Sequence, residues 1–264
     1  MALLNSARGG RIPIKLILGV GIILFALIRY WSNTETNPWT GRSQHITLEP
    51  EQEIALGLQS APQMAQEFGG LYPDQQLQAT IDAIGQKLVQ NSVARETPYS
   101  YDFHLLRDPQ TVNAFALPGG QVFITYGLLS RLENEDQVAG VIGHEIGHVI
   151  GRHSAERIAK QSLTQGIVNG VLIGSDGGYG AAQTAAMIGN MINMKYGRED
   201  ELESDDLGVR IMLKSGYDPE ELIGVMRILE EASGGQRVPE FQSTHPSPEN
   251  RIEKIKEAIK KYRN

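Results

Sequence analysis

The chain has no cysteine, which removes at once a disulfide framework, a thiolate metal site, a cysteine nucleophile and a lipid-modified N-terminal cysteine. Clustered basic charge is also missing. The 24 Lys and Arg residues face 31 Asp and Glu, for a net charge of −7. Residues 1–31 carry Arg8, Arg11, Lys15 and Arg29 and no acid, leaving 20 basic against 31 acidic residues in the rest. An acidic body lacks the footprint that nucleic acid requires, so no nucleic-acid partner is expected. Internal repeats and low-complexity tracts are absent too. What is present is a globular composition, 41% hydrophobic and 21% charged over 264 residues, long enough for a proper core.

Residues 16–28 form an uncharged apolar run, and counting from Ile12 with Lys15 snorkelling extends it to residues 12–28. That length is near the lower limit for a membrane-spanning helix, roughly 17–25 residues. Arg29, Tyr30 and Trp31 close the run with interfacial residues. Residues 1–31 are therefore expected to be an uncleaved signal anchor. Arg-Tyr-Trp is a poor cleavage site, and release into the periplasm after cleavage is the alternative. The positive charges before the run leave the N-terminus in the cytoplasm and the remainder extracytoplasmic. Residues 32–48 have the composition of a tether, in which His45 is expected to be solvated. A folded domain is expected over residues 49–264.

Within it, Glu49-Pro50-Glu51 opens a helix running to about Phe68, which Pro62 can kink or end. A second helix over residues 74–90 places Leu77, Ile81, Ile84 and Leu88 on one face. The alternation of Tyr101, Phe103 and Leu105 predicts a strand, and residues 113–125 predict a hairpin around Pro118-Gly-Gly120. Helix resumes at about Leu128, and a further helix starts at Asn134 or Glu135. Residues 166–194 hold a single charge, Asp176, and are expected to be two buried or mobile helical pieces joined by a Gly-rich loop, in preference to a second membrane contact. Residues 249–262 form an amphipathic helix.

The chemistry is concentrated in His144-Glu-Ile-Gly-His148. On a helix, positions four apart share a face, so both imidazoles can reach one ion. Glu145 falls beside that ion without ligating it, as suits a general base acting on water. The motif lies among Val138, Val141, Ile142, Ile146 and Val149, so the helix is expected to be buried. Catalytic zinc usually takes three protein ligands. Ser154 occupies the place of the third His of one motif class. His153, about 140° around a continuous helix from His148, should face away and be exposed or structural. A carboxylate can complete the set. Glu201 and Asp205 share a face, as ligand and as acceptor of a ligand's N–H, whereas Glu203 is about 200° from Glu201. The plain alternative is a solvated acidic helix start.

Four ordered blocks carry a resemblance over about residues 50–262. They are Asn113-Ala-Phe-Ala-Leu-Pro-Gly-Gly120, His144-Glu-Ile-Gly-His-Val-Ile-Gly-Arg-His-Ser-Ala-Glu-Arg157, Arg198-x-x-Glu-x-Glu-Ser-Asp205 and Thr244-His-Pro-Ser-Pro-Glu-Asn-Arg-Ile252. The chain resembles the gluzincin metallopeptidases that include the CAAX prenyl endopeptidases, HtpX and BepA. The resemblance implies a mostly helical α+β, zincin-like domain with a short sheet and one Zn2+ on His144, His148 and Glu201. It implies an endopeptidase acting on misfolded or envelope polypeptides in protein quality control, on the periplasmic side of a bacterial inner membrane. His245 and Arg251 are expected near the site. His245 would stabilise the oxyanion or block the open zinc position, or else be only a turn residue before Pro246. Asn113, Ala114, Phe115 and Ala116 would contact substrate as an edge strand. Ser204 stands where alanine is usual, and the extra membrane helices of the prenyl and heat-shock members are not expected. A chaperone-like binding module with a closed site is the competing reading. An exopeptidase would need a terminus-capturing group that the sequence does not reveal, and the oligomeric state is not legible.

Overall fold

The computed structural model describes residues 13–174, 196–233, 240–245 and 250–263. Most of these are helical, around a three-stranded sheet. The apolar helix α1 (Ile14–Ser32) leads into a two-stranded hairpin, β1 (Thr34–Thr36) and β2 (Ser43–His45). Next come α2 (Pro50–Glu67) and α3 (Gln75–Gln90). Glu49 and Gln52 cap α2 reciprocally, and the helix runs through Pro62 without ending there. Asp74 caps α3 through Gln76 N and Leu77 N, and its apolar face packs on β3 (Asp102–Leu106).

The sheet has the order β3-β5-β4, with β5 (Gln121–Thr125) parallel to β3 and antiparallel to β4 (Ala114–Ala116). β5 is buried throughout because both neighbours and helices cover it. Gly119 and Gly120 make the predicted turn at φ +81° and +109°, a region that favours glycine. The short α4 (Tyr126–Leu129) precedes α5 (Glu135–Ile150), which Asn134 caps. The chain continues as α6 (His153–Gly174), α7 (Arg198–Lys214), α8 (Glu221–Ser233), α9 (Glu240–Thr244) and α10 (Arg251–Arg263). The core joins α3, the sheet and α5 to α7, α8 and α10. Of the two helical pieces expected over 166–194, the first is the end of α6, where Val168 and Ile173 are exposed and not buried; the Gly-rich loop and the second piece lie outside the described residues.

Residues 32–48 are not a free tether. Asn37 donates to the Ile150 carbonyl at 2.9 Å and Gln44 to the Gly151 carbonyl at 2.6 Å. Arg42 pairs with Glu156 and with Asp200. Polar composition alone reads as a linker, but these side chains cap the end of α5. His45 is not simply solvated either: its ring lies 4.2 Å from that of Tyr30, tilted by 32°.

Candidate metal centre

Close approach of two helix backbones builds the site. Gly143 and Gly147 on α5 face Gly208 and Ser204 on α7. A methyl group on Gly147 would sit 2.8 Å from the Ser204 carbonyl oxygen. The two glycines, unfavourable in a helix by about 1 kcal/mol each, let α7 bring Glu201 against the two histidines. Ligand atoms of His144, His148, Glu201 and His245 all lie within 4.8 Å of one another, and all four residues are buried.

Hydrogen bonds orient each imidazole. His144 Nδ1 donates to Asp205 Oδ1 at 2.8 Å. Arg251 holds that carboxylate, with Nε 2.7 Å from Oδ2, and reaches Glu201 Oε2 at 3.2 Å. His148 Nδ1 lies 2.9 Å from His153 Nδ1, and His153 Nε2 donates to Glu203 at 2.7 Å. With its proton on Nε2, His153 accepts from His148 Nδ1–H, which leaves the His148 Nε2 lone pair free. His144 Nε2 is free by the same logic, and the two Nε2 atoms stand 3.0 Å apart. Two lone pairs so close repel unless a proton or a cation lies between them. Burial opposes charge on His144, yet Asp205 and Glu201 outweigh it and raise its pKa to about 9. Burial holds His148 well below its ordinary value. Burial also opposes ionisation of Glu201, but the charges of His245 and Arg251 keep it well below the carboxylate range. The carboxylates thus call for positive charge between them, and a His/His/Glu donor set suits zinc.

Glu145 is fully buried, neither of its oxygens has a hydrogen-bond partner among the described residues, and burial pushes its pKa up. His245 Nε2, also without a hydrogen-bond partner there, is 3.7 Å from Glu145 Oε1. His245 is no mere turn residue: α9 stacks it 4.4 Å from Phe241, with Nδ1 3.1 Å from Glu201 Oε1. Arg251 is buried against Asp205 and Glu201. Asn113, Ala114, Phe115 and Ala116 stand together at β4, the outer strand of the sheet. Asn113, Phe115 and Ala116 line a cleft that also includes Met64, Tyr196 and His245.

At the site itself the structure corrects His153. His153 neither faces away nor is exposed, because α5 ends at Ile150 and the continuous-helix angle does not apply. Arg152, at φ 54°, turns the chain back. It is held in that unfavourable conformation by Glu53, Glu35 and the Leu48 carbonyl. Ser204 has a use too, its hydroxyl 3.3 Å from His153 Nδ1. Tyr196, stacked 3.9 Å from His148, belongs to the site although no sequence pattern marks it. A lone aromatic ahead of an acidic helix gives no periodic signal.

Residues 75–259 match the pattern of Peptidase family M48. The chain belongs to that family. It is 30% identical over 229 residues to the beta-barrel assembly-enhancing protease of Escherichia coli strain K12, covering 83% of this chain and 46% of that one. It is 28% identical over 168 residues to the mitochondrial metalloendopeptidase OMA1 of Schizosaccharomyces pombe, 63% of this chain and 49% of that one. The OMA1 metalloendopeptidase of Danio rerio is 26% identical over 257 residues, 91% of this chain and 53% of that one. The chain therefore spans about half the length of these relatives. M48 membership accords with the expected gluzincin resemblance and the mostly helical fold.

Proposed function

We propose that the chain is a zinc-dependent endopeptidase, with one Zn2+ on His144, His148 and Glu201 and with Glu145 as general base. One observation carries this reading: buried ligand atoms converge from α5 and α7, with an unpartnered buried carboxylate beside them. Zinc bound there would supply Lewis acidity and make water more acidic. An extended substrate would lie along β4, its backbone paired with Asn113 to Ala116. Glu145 would accept a proton from water as it attacks the scissile carbonyl, then deliver it to the leaving amine. Asp205 and Arg251 keep His144 oriented, and His153 with Glu203 does the same for His148. Glu145→Gln should keep its metal and lose casein cleavage by about 10²–10⁴-fold, the usual worth of a positioned base. Full activity in that variant would sink the assignment. His148→Ala should lose the metal itself, and normal zinc content by elemental analysis would count against the ligand set.

A second reading comes from the closeness of His245 Nδ1 to Glu201 and to His144 Nε2, at 3.1 and 3.4 Å. His245 can shut the remaining coordination position as readily as it can steady an oxyanion. Activity gained in His245→Ala supports a gate, and activity lost supports the oxyanion role.

The substrates are read as misfolded or envelope polypeptides on the periplasmic side of a membrane, with α1 as a retained anchor. The contacts of α1 support retention over cleavage, since it packs along α6 and its Tyr30 ring packs against that of His45.

A further inference from the structure

Helix α1 does not stand alone. Its Gly19, Ile23 and Ala26 face Gly166 and Gly170 of α6. A methyl group on Gly170 would meet the Gly19 carbonyl oxygen at 2.6 Å, so the two backbones touch there. Rising numbers on α6 meet falling numbers on α1, so the helices are antiparallel. Gly-x-x-x-Gly spacing that brings backbones this close is a common packing mode of helices in lipid. Near the other end, Arg29 and Tyr30 share a cavity with Ala159 and Ser162. If Arg29, Tyr30 and Trp31 mark the membrane interface, α6 passes that level at about residue 160.

Lys160 is the last charged residue of α6, and none follows from Gln161 to Gly174. Val168 and Ile173 are exposed there, at 43% and 42%. Water-facing helices of the same chain look different: α10 presents Lys254, Glu257, Lys260 and Lys261. Within the uncharged stretch Gln165 donates to Asn169 at 2.9 Å and Thr164 to the Lys160 carbonyl at 3.0 Å, while Gln161 Oε1, at the start of the stretch, is buried without a hydrogen-bond partner among the described residues. In hydrocarbon such pairing is required.

We propose that α6 enters the bilayer from Gln161 to Gly174 beside α1, with lipid acyl chains covering Val168 and Ile173, so that the candidate metal centre is held at the membrane surface. This rests on the reading of α1 as an anchor. Those 14 residues reach about 21 Å at 1.5 Å per residue, short of the roughly 30 Å of a hydrocarbon core. α6 therefore penetrates by Gly174 without crossing. Its first residue is His153, the partner of His148. The entry level is about 12 Å along α6 from that residue. Chain segments lying at a membrane surface are then the substrates best presented to the cleft.

The absence of native cysteine makes the test direct. Single-cysteine variants Leu24→Cys, Val168→Cys, Ile173→Cys and Lys254→Cys of the full chain are reconstituted in phospholipid vesicles and treated with a charged, impermeant maleimide. Lys254→Cys should react, and the other three should react at least about tenfold more slowly until detergent is added. A nitroxide on the same cysteines separates lipid from protein shielding. At positions 168 and 173, oxygen should relax it more than a water-soluble nickel chelate does. Rapid labelling of Val168→Cys and Ile173→Cys with Leu24→Cys shielded would overturn the proposal and leave the anchor standing. Rapid labelling of Leu24→Cys would overturn both. Greater relaxation by the chelate at 168 and 173 would overturn the proposal.

Discussion

Helices α5 and α6 meet at Gly151–Arg152 and carry opposite surfaces. From Gln137 to Ile150 every residue of α5 is buried, whereas much of α6 after Lys160 is only half-buried, though uncharged. Protein surrounds α5 on all sides, so its two histidines and Glu145 are stripped of water and tied to partners. Such enclosure makes unpaired charge costly, and the neighbouring carboxylates and Arg251 must balance it. α6 leaves the protein after two turns, and its surroundings are chosen by α1 and, in our proposal, by lipid. An apolar stretch thus says that water is excluded, without saying what excludes it.

The contrast can be broken or sharpened by substitution. The largest effect is expected at the outer hydrogen bonds of the enclosed helix. Asp205→Asn should weaken zinc affinity by about 10–100-fold, as losing the carboxylate behind a ligating histidine does. Competition with a chelator measures this, and unchanged affinity would dissociate Asp205 from the metal. Gly147→Ala should cost about 1–3 kcal/mol, because the added methyl meets the Ser204 backbone at 2.8–3.0 Å and neither helix can yield. Thermal unfolding reads it out, and a variant as stable as the parent would mean that α7 moves easily.

The smallest effect is expected at the junction, where burial pushes the Glu53 carboxyl up to about 7 against the pull of Arg152. The folded chain then holds that proton more tightly than the unfolded chain does between pH 4.5 and 7. Its contribution to stability is full below that window and falls as pH rises through it. Glu53→Gln should flatten this part of the melting-temperature profile. An unchanged slope would show that Glu53 ionises at its ordinary value.

Local pattern made much of this legible. The helix starts near Asp74 and at Asn134 or Glu135, the helix periodicities and the Pro-Gly-Gly turn are set by neighbours in sequence, and the structure has them where expected. The spacing of His144 and His148 and that of Glu201 and Asp205 were readable for the same reason. The place of His153 is not legible in the spacing because one left-handed residue, Arg152, resets the angle between helices, and Arg152 is held there by Glu53, 99 positions away. The hairpin over residues 34–45 looked like a tether because its contacts, such as Asn37 with Ile150, join residues 113 apart.

By itself the sequence determined which groups can bind a divalent ion and which helices present them, since helical geometry repeats every 3.6 residues whatever lies around it. Tertiary structure alone decided that α5 and α7 touch at their glycines, that His245 and Tyr196 close over the histidines, and that α1 lies against α6. Each of these depends on distant surfaces fitting together, and no periodicity along the chain encodes that fit.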